Sequence, residues 1–239
     1  MPREGARVDH AEAFVLHAIP FRETSLLVDV LTAEHGRLSL AARGARRPSS
    51  ALRGVLLPFQ RVSVSWYGRG EVRTLHAAEW QGLLPGMTGR ALVCGFYLNE
   101  LVVRLLPRDD PHPLLFAAYA DALQALPGAD PVDPVLRGFE LAALAELGYG
   151  IDLVHEAGGQ TPVQPGRGYR YVVEHGLVSM PAGDPATQIS GDSLLAMQRA
   201  DYSDATTRRE ARALLRSVLR HYLGDRPLLS RDLLAPFGS

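Results

Sequence analysis

The sequence predicts an α+β molecule: a five-stranded β-barrel at the N-terminus, then an all-α helical domain carrying a small hairpin and loop insertion. Three observations carry that expectation. Apolar and polar residues alternate with period two over 12–80, the apolar spacing turns helical from Pro85 onward, and a Gly-, Pro- and Gln-rich stretch from Gly158 to Gly168 interrupts the helices. The expected division is therefore residues 1–82 for the barrel and 83–239 for the helical domain, with the insertion at 156–182.

Strands are expected at about Glu12–Ala18, Thr24–Thr32, Arg37–Arg43, Arg61–Trp66 and Glu71–Glu79. Glu34-His35-Gly36 joins the second to the third and Tyr67-Gly68-Arg69-Gly70 the fourth to the fifth, where glycine permits tight hairpins. Five short strands in some seventy residues, with the long connection Gly44–Phe59 after the third, fit the Greek-key barrel of an OB-fold, with an SH3-like barrel as the rival. Gly68-x-Gly70 has no helix behind it and is a turn, not a dinucleotide loop.

Thr88 is placed to cap a core helix running to about Leu106. Asp110-Pro111 and Asp133-Pro134 each read as an N-cap followed by proline at the first helical position, the second opening a helix from Val135 to Leu147 that Gly148 ends. A hairpin, Tyr169–Glu174 and Leu177–Met180, is expected to turn at His175-Gly176. Ser190 and Ser203 then cap two further helices, the last ending at Leu223 before Gly224.

All 25 basic residues are arginine, and the absence of lysine excludes a P-loop, a pyridoxal Schiff base and a kinase strand lysine. Cys94, the one cysteine, lies in the run Ala91-Leu92-Val93-Cys94 and reads as core. The eight histidines show no pair three or four residues apart, and there is no Gly-x-Ser-x-Gly elbow. Asp109-Asp110-Pro111-His112 reads as helix capping, not a metal cluster. No catalytic residue, metal or cofactor is therefore expected. The N-terminus shows no signal peptide, and the densest apolar run, Leu92–Leu106, carries Asn99, Glu100 and Arg104, so a cytoplasmic protein away from membranes is expected.

The net charge of -1 hides strong polarity along the chain. Residues 37–73 hold eight arginines against Glu71 alone, a net +7, whereas 100–156 hold three arginines against ten acids, a net −7. Residues 199–231 are basic again. The strongest local signal is Arg43-Gly44-Ala45-Arg46-Arg47-Pro48-Ser49-Ser50-Ala51-Leu52-Arg53. An OB barrel offers nucleic acid its second and third strands and its first–second and fourth–fifth loops. Arg22, Arg37, Arg43, Arg46, Arg47, Arg53 and Arg69 are accordingly expected to contact phosphates, with Phe21 among them. On the last helix Arg208, Arg212, Arg216 and Arg220 repeat at i+4; a solvated face is one reading, and because like charges four apart repel unless anions offset them, a polyanion or an acidic peptide is the other.

The string also resembles a known family. Phe14-Val15-Leu16-His17, Arg22-Glu23-Thr24-Ser25-Leu26-Leu27-Val28-Asp29-Val30-Leu31-Thr32, Ala42-Arg43-Gly44-Ala45-Arg46, Leu57-Pro58-Phe59 and Gly68-Arg69-Gly70-Glu71 are similar, in order and spacing, to the bacterial RecO family of DNA repair proteins. So are Phe96-Tyr97-Leu98-Asn99-Glu100-Leu101, Arg137-x-Phe139-Glu140 and Leu147-Gly148-Tyr149-Gly150, and the likeness spans residues 13 to about 234.

That resemblance implies a non-enzymatic recombination mediator that binds single- and double-stranded DNA and anneals complementary strands. It implies work with RecR and the single-strand-binding protein SSB to load RecA, in the cytoplasm at the nucleoid. Many members carry a four-cysteine zinc module between the helices; this chain has no cysteine from Gly148 to Met180 and so resembles the family's zinc-less, gamma-proteobacterial branch. The resemblance further implies that the helical domain receives the acidic SSB tail and its terminal phenylalanine. Arg137 with Leu136 and Leu141 is the expected seat, and Arg209 a second cation; the alternative is that Arg137 pairs with Asp133 or Glu140 on its own helix. Without the resemblance, a cytosolic OB-fold RNA-binding protein is the next reading, and a hydrolase the third.

Overall fold

A computed structural model describes residues 7–82, 86–180, 188–224 and 226–230 of the chain. Five strands build the first unit: β1 (Arg7–Phe21), β2 (Ser25–Thr32), β3 (Gly36–Ala42), β4 (Arg61–Tyr67) and β5 (Val72–Trp80), with a single helical turn, α1 (Leu52–Val55), between β3 and β4. In the order β1-β2-β3-β5-β4 they close through β1 and β4, and every pairing is antiparallel except β3 with β5. This is the expected OB-fold. Alternate residues Val28 and Val30, Leu38 and Leu40, Val62, Val64 and Trp66 fill the interior. β1 exceeds its expected length because its first half pairs with β4, Arg7 opposite Tyr67, and its second with β2, Phe21 opposite Ser25. Polar residues Asp9, His10 and Glu12 conceal the early part from an alternation test.

Two helices of the same unit, α2 (Gly89–Leu105) and α3 (Pro113–Ala125), pack on the barrel, α2 on β1 and α3 on β2. The Phe14 ring lies 5.2 Å from Phe116 and 5.3 Å from Tyr119. Asn99 donates to the Leu16 carbonyl at 2.7 Å and accepts from the Tyr119 hydroxyl, so a buried amide is satisfied across the helix–barrel seam. Asp110-Pro111 does not start α3; His112 holds the N-cap position and Pro113 opens the helix. The reason is that the preceding segment lies against β3, with Arg108 bridged to Arg37 and the Asp109 amide donating to the Arg37 carbonyl at 3.1 Å. Gly36, at φ +65°, makes that approach possible, since a Cβ there would overlap the Asp110 carbonyl. Cys94 is buried in α2, as expected, whereas the Thr88 side chain makes no capping bond.

The second unit, Gly128–Leu229, contains α4 (Asp133–Glu146), a three-stranded sheet of β6 (Gly168–Val172), β7 (Gly176–Met180) and β8 (Ile189–Ser190) in the order β7-β6-β8, and two helices, α5 (Gly191–Gln198) and α6 (Ala205–Leu223). The hairpin at 168–180 forms as expected, and β8 adds a short third strand to it. Ser190 caps α5, its Oγ accepting from the Ser193 amide, and its own amide and hydroxyl donate to Glu210 of α6, both at 2.9 Å. The α6 cap is Asp204, accepting from the Thr207 amide at 2.8 Å, one residue beyond the expected Ser203. Asp133 likewise lies inside the first turn of α4, behind Val132 at the N-cap, because its carboxylate is engaged by Arg212 of α6 at 2.9 Å.

Candidate nucleic-acid interface

The connection from Arg43 to Gln60 is pinned to one end of the barrel. Ala45 and Leu56 belong to the barrel core, and Leu52 and Val55 pack against it. These anchors alternate with arginines, which leaves Arg43, Arg46, Arg47 and Arg53 exposed on a held surface. The β1–β2 turn joins them: the Arg46 amide donates to the Thr24 carbonyl at 2.9 Å, and its guanidinium reaches the carbonyls of Arg22 and Glu23 at 3.4 and 3.2 Å. Arg22 is exposed at φ +53°, its guanidinium 5.2 Å from the centre of the Phe21 ring. Five of the seven arginines expected to meet phosphate therefore stand on a loop and turn fixed to each other.

Arg37 and Arg69 do not join them. Arg37 is 9% exposed, and its guanidinium donates to the Leu106 carbonyl at 3.2 and 3.0 Å and faces Asp29 at 3.5 Å. Burial holds its pKa below the ordinary arginine value, with Asp29 acting in the opposite sense. It is a clamp between β3 and the end of α2, and α3 packs on β2, one of the strands expected to face nucleic acid. Arg69 is exposed, but β5 opens beside Ser39, midway along β3 and parallel to it, so the turn that carries Arg69 lies towards the Gly36 end of β3, whereas Arg43 follows the Ala42 end. Two further arginines of the +7 stretch are engaged by carboxylates, Arg61 by Glu12 at 2.5 Å and Arg73 by Asp109 at 2.6 Å.

In the second unit α4 packs on α6. Arg137 is 5% exposed and donates to Glu140 of its own helix at 2.8 Å, and Leu136 is buried beside it while Leu141 is half-buried. The Arg209 side chain is 73% exposed, 3.9 Å from Glu210. The i+4 ladder splits in two. Arg208 donates to the Tyr202 and Ser203 carbonyls and Arg212 to Asp133, whereas Arg216 and Arg220 stay exposed. Tyr202, buried near Arg137 and Glu140, has its hydroxyl pKa pushed up to about 12, by burial above all.

Comparison with known proteins bears on the whole chain. Residues 8–83 match the family Recombination protein O N terminal, and residues 88–232 match Recombination protein O C terminal. The chain belongs to the RecO family. Relatives named DNA repair protein RecO include that of Azoarcus sp. (strain BH72), 53% identical over 95% of this chain and 96% of its own length. Those of Aromatoleum aromaticum, 52% identical over 95% of both chains, and of Nitrosospira multiformis, 47% identical over 97% and 96%, are further examples. The first match covers the barrel and the second begins just before α2, a helix of the barrel's own compact unit. Among the described residues no helix is long and apolar enough to cross a membrane.

Proposed function

We propose that the chain is a recombination mediator in DNA repair, binding single- and double-stranded DNA and annealing complementary strands without a catalytic step. With RecR, it would promote RecA loading on SSB-coated single strands at the nucleoid. The observation that carries this reading is the arginine surface of Arg22, Arg43, Arg46, Arg47 and Arg53, held by apolar anchors on an OB barrel in a chain of the RecO family. Guanidinium groups on a fixed loop release counterions from a phosphate backbone and give affinity independent of sequence. The experiment is annealing of complementary SSB-coated oligonucleotides with neither nucleotide nor metal added. Annealing faster than with SSB alone supports the reading, and an unchanged rate overturns it.

We assign the acidic SSB tail to the α4–α6 side of the second unit. Glu140 takes a donor of Arg137 and so orients its guanidinium, exposed Arg209 supplies charge for the upstream acids, and half-buried Leu141, with Leu136 buried behind Arg137 on the same helix, offers apolar surface to the phenylalanine ring. Removing Arg137 alone takes its cation from a buried carboxylate, so the test pairs Arg209→Glu with the double variant Arg137→Met/Glu140→Gln. If both bind an SSB-tail peptide as tightly as the parent protein, the tail lies elsewhere.

A further inference from the structure

The two tryptophans have opposite fates. Trp66 is 1% exposed in the barrel interior; Trp80, the last residue of β5, is 47% exposed. Trp80 pairs opposite Val62, so it lies on the side of β5 that faces the core, at the end of the strand. Its indole N–H donates to the Gln60 side-chain carbonyl at 2.7 Å. Gln60 is itself fixed at both backbone groups: its carbonyl accepts from the Val15 amide at 3.0 Å, and its amide donates to Leu57 at 3.2 Å. The ring is thus oriented while close to half of its surface meets water. Gln60 ends the arginine-bearing connection, α1 with Arg53 packs on β5, and Leu57, exposed by 48%, lies in the turn that Gln60 closes. Glu79, the neighbouring acid, pairs with Ser63 and faces the opposite side of the strand.

An exposed indole oriented by the last residue of the arginine-bearing connection has the two elements of a single-strand site within reach, a flat apolar face for a base and cations for the phosphates. Duplex DNA cannot use the first, because its base faces are stacked on each other. We propose that Trp80 is a stacking platform for an unpaired base of a single-stranded nucleic acid whose backbone runs over Arg43, Arg46, Arg47 and Arg53. This rests on the assignment of the arginine surface to DNA and adds the residue that sets preference for single strands over duplex. Stacking on the indole tolerates any base, so the preference is for strandedness and not for sequence.

Binding is measured by anisotropy of labelled oligo(dT) and of an abasic strand of equal length, at fixed salt, with the parent protein, Trp80→Ala and Trp80→Phe. Trp80→Ala should weaken oligo(dT) binding about five- to a hundredfold, leave the abasic strand within twofold of the parent, and be largely rescued by Trp80→Phe. Oligo(dT) should also quench the parent's tryptophan emission but not that of Trp80→Phe, which retains only buried Trp66. Unchanged oligo(dT) affinity in Trp80→Ala, or equal losses for both ligands, overturns the stacking role while the arginine surface stands. Failure of the parent to bind either strand overturns the arginine assignment and the stacking role together.

Discussion

At Arg37, β3 turns a guanidinium away from water onto the Leu106 carbonyl and Asp29, and the cost of that burial is returned only while both partners are present. Arg37→Ala is expected to destabilise the first unit by about 3 kcal/mol in denaturant titrations. The salt dependence of DNA binding by the folded fraction should stay at the parent value, since no phosphate contact is lost. Tyr202 makes a different residue-scale prediction. Its pKa, raised from 10.0 to about 12 chiefly by burial, means that the folded protein keeps a proton the unfolded chain releases. The stability this contributes is complete below about pH 10 and is lost as pH rises through about 12. Thermal unfolding followed from pH 9 to 12 should show that decline, and Tyr202→Phe should flatten it.

The arginine connection is the element on which DNA binding is expected to turn. Replacing Arg43, Arg46 and Arg47 together with alanine should reduce the slope of log affinity against log salt by up to about 2 on single strands, where each phosphate contact contributes about 0.7. Arg46 also holds the Arg22 and Glu23 carbonyls, so the β1–β2 turn should loosen, and hydrogen exchange there should quicken in the same variant. An unchanged slope would move the site to another face, such as that of Arg216 and Arg220. The strands, the hairpin at 168–180 and the Ser190 cap were legible in the sequence because alternation, turn glycines and capping residues act within a few positions of one another. The use of each arginine was not. Arg37 finds its acceptor 69 residues away and Arg61 its carboxylate 49 residues away, distances set by strand register. The place of Arg69 was not legible either, since only the parallel pairing of β3 with β5 shows which end of β3 its turn adjoins. The exposure of Trp80 has no local signal, because one tryptophan at the close of an alternating run reads as core and nothing nearby announces that the core has ended there.

For the molecule as a whole, annealing is expected to need no metal and no thiol. Cys94 is buried in α2, and the proposed contacts, guanidinium to phosphate and indole to base, require neither redox nor Lewis-acid chemistry. Strand-annealing rates should be unchanged by chelator and by alkylating reagent applied to the native protein; loss on chelation restored by added zinc would contradict this.

Ser230 donates to Glu100 through its amide at 2.9 Å and its hydroxyl at 2.6 Å, which joins it to the first unit after a second unit of about a hundred residues has intervened. The chain therefore leaves the barrel's unit and comes back to it, and this arrangement orders events during synthesis. Glu100 emerges from the ribosome 130 residues before its partner, a delay of roughly 6–26 s at ordinary translation rates. Throughout that interval the growing chain can close its barrel and dock α2 and α3. The final clasp has to wait until Gly128–Leu229 has been made, so the earliest unit to begin folding is also the last to be completed.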